Sequence, residues 1–123
     1  MTTMILLDIK LPGLPPTVNH VYRTGRGIAR YKTAEGRRYQ EQVVGVMMNV
    51  FRKNDMPWDG PTSVEIYFTS RNHQPWDVDN RIKVLQDCLA PAGVIKNDKQ
   101  VVELYARRIW GAEDSTHIIV RGL

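Results

Sequence analysis

The stretch "DVDNRIKVLQDCLAPAGVIKND", residues 77–98, decides how this 123-residue chain is read. At 100° per residue, Val78, Ile82, Leu85 and Leu89 fall on one stripe, which predicts a helix over about 79–90 with that stripe turned toward a core. Pro91 and Gly93 end it. Asp79 is placed to cap its first turn, where exposed N–H groups and the helix dipole favour a carboxylate. One cap accounts for one aspartate and leaves Asp77 unexplained. Asp79, Lys83 and Asp87 recur at i, i+4 and i+8 along an edge beside the apolar stripe, placed to line a cleft next to a sheet. The helix advances about 16 Å at its usual rise. The extended return from Ala92 to Asp98 covers about 20 Å, so Asp98 can come back beside Asp77 and Asp79.

Outward from this segment the pattern switches to period two. "TSVEIYFTS", residues 62–70, alternates Val64, Ile66 and Phe68 against Glu65 and Tyr67 and reads as a strand. "QVVELYARRIW" and "THIIVRGL" read as two more, joined through "GAEDS" as a hairpin. "MILLDIKL", residues 4–11, is a first strand stopped by the prolines at 12, 15 and 16. Thr33 can cap a helix running to about Lys53, with Tyr39, Val43, Val46 or Met47, and Val50 or Phe51 at helical spacing. The order is β-α-β-α-β-β. It predicts a small α/β (α+β) fold, a mixed sheet with helices packed on it, and at this length one domain over residues 1–123.

Composition excludes several classes. Apolar residues make up 42% and charged residues 24%, near the averages of soluble globular chains, and no apolar run approaches a membrane span. The start lacks a basic region and its apolar stretch is broken by Asp8 and Lys10, so no signal peptide is expected. One cysteine, Cys88, permits no intrachain disulfide and fits a reducing, cytoplasmic setting. The net charge of +4 lies wholly in the first half, where residues 1–60 hold 9 Lys or Arg against 5 Asp or Glu. Arg23, Arg26, Arg30, Lys32, Arg37 and Arg38 crowd into residues 22–38 with Glu35 as the one acid. Such a cluster is either a solvated loop and helix start or a phosphate-backbone surface. Gly25, Gly27, Tyr22 and Tyr31 tilt the reading toward nucleic acid, since bare backbone and stackable rings suit a strand.

Three carboxylates converging at the end of a sheet repel one another unless a positive group sits among them. Lys83 and a divalent metal are the candidates. Oxygen ligands without His or Cys favour Mg²⁺ or Mn²⁺ over zinc, and His20, His73 and His117 show no zinc-site spacing. An EF-hand starting at Asp77 would put Ile82 where glycine is needed and Cys88 where a bidentate Glu belongs, so that motif fails. The His-x-Glu and Cys-x-x-Cys of nucleobase deaminases are absent. Cys88 reads as a small core residue. Trp76, beside the acids, suits either packing or DNA stacking.

In register, Asp77, Asp79, Asn80, Lys83, Asp87, Gly93 and Asp98 resemble the core motif of RusA-type endodeoxyribonucleases, small Holliday junction resolvases of bacteria and their prophages. "LPPTVNHVYRTGRG" and "TAEGRRYQEQV" are more loosely similar to the family's opening and its following helix. One departure is Asn97, where some members carry a second acid. The resemblance implies a homodimer that nicks two opposed strands of a four-way junction with Mg²⁺. It implies Asp77, Asp79 and Asp98 as metal ligands, Lys83 as a catalytic contact to the phosphate, and supporting places for Asn80 and Asp87. Asp87 is also explained by an i, i+4 pair with Lys83. Paired nicking needs two sites at fixed separation, so a chain this small needs a two-fold partner. The competing readings are a nuclease for flaps or other branched DNA, a junction-binding protein of the same fold without catalysis, and, more remotely, a metal-nucleotide site.

Overall fold

The computed structural model describes residues 3–24, 30–50 and 57–123. Strand β1 (Met4–Pro12) is followed by a four-residue helix α1 (Val18–Val21) and two short strands, β2 (Tyr22–Thr24) and β3 (Arg30–Lys32). Then come helix α2 (Ala34–Val50), strand β4 (Thr62–Ser70), helix α3 (Asp79–Gln86), a 3₁₀ turn (Asp98–Gln100), and strands β5 (Val101–Trp110) and β6 (Ser115–Gly122). The expected β-α-β-α-β-β order is present. To it are added α1 and the β2–β3 pair, in the stretch read from sequence as a basic loop.

The main sheet runs β1-β6-β4-β5, with β6 antiparallel to both of its neighbours and β5 parallel to β4. β4, α3 and β5 therefore form a β-α-β crossover. The expected "GAEDS" hairpin is corrected here, because β6 lies on the far side of β4 from β5. The parallel crossover has already taken one edge of β4, leaving its antiparallel partner slot on the other. The link crosses the end of β4, where Gly111 N–H donates to the Ser70 carbonyl at 3.1 Å and Arg71 N–H to Asp114 Oδ1 at 2.8 Å. A Cβ at Gly111 would stand 2.6 Å from Thr69 Cγ2, so a side chain there would have to displace the threonine methyl.

Alternation on β4 buries Thr62, Val64, Ile66, Phe68 and Ser70 on the helix-covered face. They meet Ile118 and Val120 of β6, Ile9 and Leu11 of β1, Val43 and Met47 of α2, and Leu85, Cys88 and Leu89. A bulge between Ile5 and Leu7 lets the consecutive Leu6 and Leu7 both be buried. Cys88 is a core residue, as expected, with its thiol against the Val84 carbonyl. The expected cap at Thr33 is present, since Gly36 N–H donates to Thr33 Oγ1 at 3.1 Å. The expected end of that helix near Lys53 lies outside the described residues. Among those residues, no helix is long and apolar enough to cross a membrane.

Candidate active site

Helix α3 begins at Asp79, where its periodicity places it, and ends at Gln86, short of the expected end near Ala90. Its first turn is entered through Val78, already helical at φ −61° and ψ −44°, with no side-chain cap. Asp79 is thus the first helical residue and not the cap, although its carboxylate still sits where the dipole favours it. Backbone bonds close the entry, from Asn80 N–H to the Asp77 carbonyl and from Arg81 N–H to the Val78 carbonyl, each 3.2 Å. After Gln86 the chain passes through turns to Gly93, whose φ of 81° is open to glycine at little cost.

The edge foreseen on the wheel exists. Asp79, Lys83 and Asp87 line a cleft of about 370 Å³ together with Ile82, Gln86, Asp98 and Leu104. The β-α-β crossover is what joins them, because α3 supplies one wall while the turn into β5 brings Asp98 and Leu104 to the other. Asp77 is exposed on the preceding loop and is not part of that lining. Lys83 Nζ is 3.3 Å from Asp87, an i, i+4 pair with the lysine more than half exposed and worth at most about 1 kcal/mol.

Asp98 is held by an unusually complete local frame. Asn97 caps the 3₁₀ turn, its side chain accepting from Lys99 N–H at 2.9 Å. Gln100 Oε1 accepts from Lys96 N–H and Asn97 N–H, both at 2.8 Å. Gln100 Nε2 donates to the carbonyls of Trp58 and Gly60 at 2.7 and 3.0 Å. Asn97, the departure from the family motif, thus fills a capping role that needs a short acceptor and no second charge. Burial, and secondarily the negative charge of Asp87, raise the Asp98 pKa, while Lys83 pulls it back down.

The basic segment reaches this cleft through Tyr22, a residue the sequence reading valued only as a ring. Its hydroxyl donates to Asp87 Oδ2 at 2.5 Å, and Lys32 Nζ and Lys83 Nζ lie 6.0 and 5.9 Å from its ring centroid. Because β2 pairs with β3, this anchors the base of the basic hairpin against α3. Gly36 allows α2 to seat closely beside it, as a Cβ there would be 2.6 Å from Val21 Cγ1. Of the six basic residues singled out, Lys32 bonds to Gln40 Oε1 and its carbonyl accepts from Arg37 Nη1 at 2.8 Å. Arg37 and Arg38 are exposed and line separate clefts on either side of α2. Arg26 and the side chains of Arg23 and Arg30 lie outside the described residues.

A second cluster escaped the sequence reading. Arg81 and Arg108 lie over Trp76, 4.8 and 5.3 Å from its ring centroid, and Arg108 is equally close to Trp110. His73 stacks on Trp110 with centroids 5.3 Å apart, and Trp76 meets Phe68 edge-on at 5.7 Å. Trp76 therefore both packs on the core and joins an arginine-aromatic ladder. The one legible signal was the i, i+2 spacing of Arg108 and Trp110, which puts both on one face of β5. Arg81 also donates to the Pro15 carbonyl, tying α3 to the segment before α1.

The donor set has the chemistry of a hard-cation site. Three carboxylates, Asp79, Asp87 and Asp98, share the cleft with Lys83 and the Gln86 amide, so its acidic ligands are all oxygens, and no His or Cys is among them. Among the described residues, no group of three or more His, Cys, Asp or Glu side chains is gathered closely enough to hold an ion. The acids thus share a cleft without forming a closed cage.

Fold and cleft together define a class: a small mixed-sheet domain that offers carboxylates and a lysine beside an anchored basic hairpin. Residues 12–121 match the family described as "Endodeoxyribonuclease RusA". The crossover junction endodeoxyribonuclease RusA of Escherichia coli K12 is 31% identical over 96 residues, covering 78% of this chain and 77% of that protein. The protein of the same description from Shigella sonnei has the same identity and coverage. Its counterpart from Aquifex aeolicus is 25% identical over 99 residues, 80% of this chain and 77% of that one. The chain belongs to the RusA family of endodeoxyribonucleases.

Proposed function

We propose that this protein is a Mg²⁺-dependent endodeoxyribonuclease, with Mn²⁺ as the alternative ion, that resolves four-way DNA junctions by paired nicking as a homodimer. The observation that carries the reading is the cleft that Asp79, Lys83, Asp87 and Asp98 line together beside the Tyr22-anchored hairpin. Family membership and the names of the relatives support the substrate class.

In this proposal Asp79 and Asp98 of the cleft would hold the ion together with Asp77 of the loop before α3. A bound divalent ion supplies hydroxide near neutral pH and stabilises charge on the scissile phosphate and its leaving oxygen. Lys83 presents its ammonium to the phosphate, and its exposed pairing with Asp87 costs little to give up. Asp87 orients Lys83 and Tyr22 together, and Asn80 steadies the loop carrying Asp77. Arg23, Arg26, Arg30, Lys32, Arg37 and Arg38 bear on the phosphate backbone, which makes binding salt-dependent.

The test is a labelled mobile four-way junction incubated with the protein, with and without Mg²⁺, against three-way and linear duplexes. Paired nicks that require the ion and favour the four-way substrate are expected. Asp77→Asn, Asp79→Asn and Asp98→Asn should each abolish cleavage and leave binding intact. Undiminished cleavage removes that residue from the ligand set, equal rates on all substrates refute junction selectivity, and binding without cleavage by the native chain refutes the enzyme.

A further inference from the structure

The carboxyl ends of β4 and β5 carry a group of rings that the chemistry of the cleft does not use. Ser70 closes β4 and is paired with Trp110, the last residue of the parallel β5. The loop that leaves Ser70 for α3 is pinned at once, because Ser70 Oγ donates to the Asn72 carbonyl and Gln74 N–H donates to Asn72 Oδ1, both at 2.9 Å. An asparagine turn of this kind fixes the residue at its tip, and the tip is His73. Its ring lies nearly parallel to Trp110, with 13° between the planes. Arg108, two residues back on the same face of β5, sits 5.3 Å from the Trp110 and Trp76 centroids and donates to the Trp76 carbonyl at 3.2 Å. Trp76 rests edge-on against the buried Phe68. The ladder is thus rooted in the core and ends in solvent at Trp110 and His73.

We propose that Trp110, walled by His73 and held by Arg108, is a stacking platform for an unpaired base of the DNA strand that enters the cleft. Parallel rings in van der Waals contact lie about 3.5 Å apart. A centroid distance of 5.3 Å therefore means that imidazole and indole are displaced sideways by about 4 Å. The displacement leaves a step of uncovered indole beside the imidazole, in keeping with the 53% exposure of Trp110. A nucleobase has the flat apolar face that such a step takes, whatever its identity. The guanidinium of Arg108 next to the step favours the charge of a nucleotide over an apolar peptide side chain. Single exposed rings are ordinary on a protein surface, but this one is part of a fixed ladder, so stacking on it requires no prior ordering of the site.

This deepens the proposed function, on which it rests for the identity of the strand. The platform is continuous with the cleft on two lines. Trp76 directly precedes Asp77, and Leu104, which lines the cleft, shares its face of β5 with Arg108 and Trp110, four and six residues further on. Those steps cover about 13 to 20 Å at the rise of a strand, the length of about four to six stacked nucleotides. Inside a continuous duplex both faces of a base are covered by its neighbours. At a branch point a base can lose one neighbour and offer a face. The platform therefore reads the branch and not the sequence, and gives this chain a source of structure selectivity separate from its basic hairpin.

Binding measured without divalent ion separates the platform from cleavage. The probes are a synthetic four-way junction, a continuous duplex of the same sequence and a single-stranded oligonucleotide, with 2-aminopurine placed in turn at each base within about six nucleotides of the branch. Trp110→Leu should weaken binding to the junction and to the single strand about 5- to 100-fold, the range of one stacked base, and leave duplex affinity within about twofold. Trp110→Tyr, which keeps a ring, should restore most of the loss. The native chain and Trp110→Tyr should quench 2-aminopurine at one or two positions, and Trp110→Leu at none. Urea unfolding followed through the other two tryptophans checks that both variants fold. Junction affinity unchanged in Trp110→Leu, an equal loss on the duplex, or no rescue by tyrosine overturns the platform. A chain that stacks the base as described yet leaves junctions uncut with Mg²⁺ keeps the platform and refutes the nuclease reading, whereas one that cuts junctions with Trp110→Leu binding as the native does refutes the platform alone.

Discussion

Gln100 is the residue whose removal should separate holding Asp98 in place from doing chemistry. Its side-chain amide makes four hydrogen bonds that tie the turn before β5 to residues 58–60. In Gln100→Ala the Lys96 and Asn97 amides are exposed and turn to water at a cost of a few tenths of a kcal/mol each. The carbonyls of Trp58 and Gly60 are part-buried, and losing their donor costs about 1 kcal/mol apiece. The total is about 2–3 kcal/mol, or about 8–12 °C in Tm for a chain of this size. Urea unfolding followed by tryptophan fluorescence measures it. Gln100→Glu sharpens the test, since it keeps both acceptor bonds and aims a carboxylate at two carbonyls. At pH 7 it should be at least as unstable as the alanine variant, and it should recover below the carboxylate range, where the protonated acid donates again. Single-turnover junction cleavage should fall in both variants while junction affinity holds, because the loosened turn carries Asp98. A Gln100→Ala protein within 0.5 kcal/mol of the native one, or a Gln100→Glu protein as stable as native at pH 7, refutes this account of the turn.

Tyr22→Phe deletes the bond to Asp87 while keeping the ring between Lys32 and Lys83, and should cost about 1–2 kcal/mol in urea unfolding. Cleavage should fall further than that stability loss explains, since the hairpin loses its tie to α3; unchanged stability and rate would mean the tie is idle. Glu65 is held below the usual carboxylate range by the Tyr67 hydroxyl and then by Arg121, 2.5 Å away. A depressed folded pKa adds stability that is present above the unfolded value and lost as pH falls through the folded one. The Tm gap between the native chain and Glu65→Gln should therefore be open at pH 7 and close on acidification below about pH 4, the unfolded range of a glutamate; a gap that widens there refutes the assignment.

What was legible in the sequence follows the physics that is local to it. Period-two alternation in residues 62–70 and the 3.6-residue stripe of α3 depend only on which side chains must leave water, and both emerged. So did the Thr33 cap, a bond between residues three apart. The i, i+4, i+8 edge of α3 and the reach of the return to Asp98 put four of the named residues in one cleft, because helix rise and chain length alone set those distances. Misreadings began where a choice depended on something distant. "GAEDS" has hairpin chemistry, and only the prior occupation of one edge of β4 by β5 turns it into a crossing link. Asp79 has cap chemistry, and the helical Val78 before it takes the role away. Tyr22, Arg81 and Arg108 gain their places from partners 65, 66 and 32 residues off, across elements that no spacing rule connects.

The exposed apolar edge of β5 is the same lesson carried one level up. Within one chain, Val102, Leu104 and Tyr105 contradict the rule that apolar strands are covered, just as Asp77 contradicts the economy of a single cap. Both anomalies dissolve if the unit that folding and selection act on is larger than the chain. In the proposed function, a cation and the DNA phosphate are what would give the acids of the cleft their purpose. The residues hardest to explain from one copy are therefore the ones that point to what the copy binds.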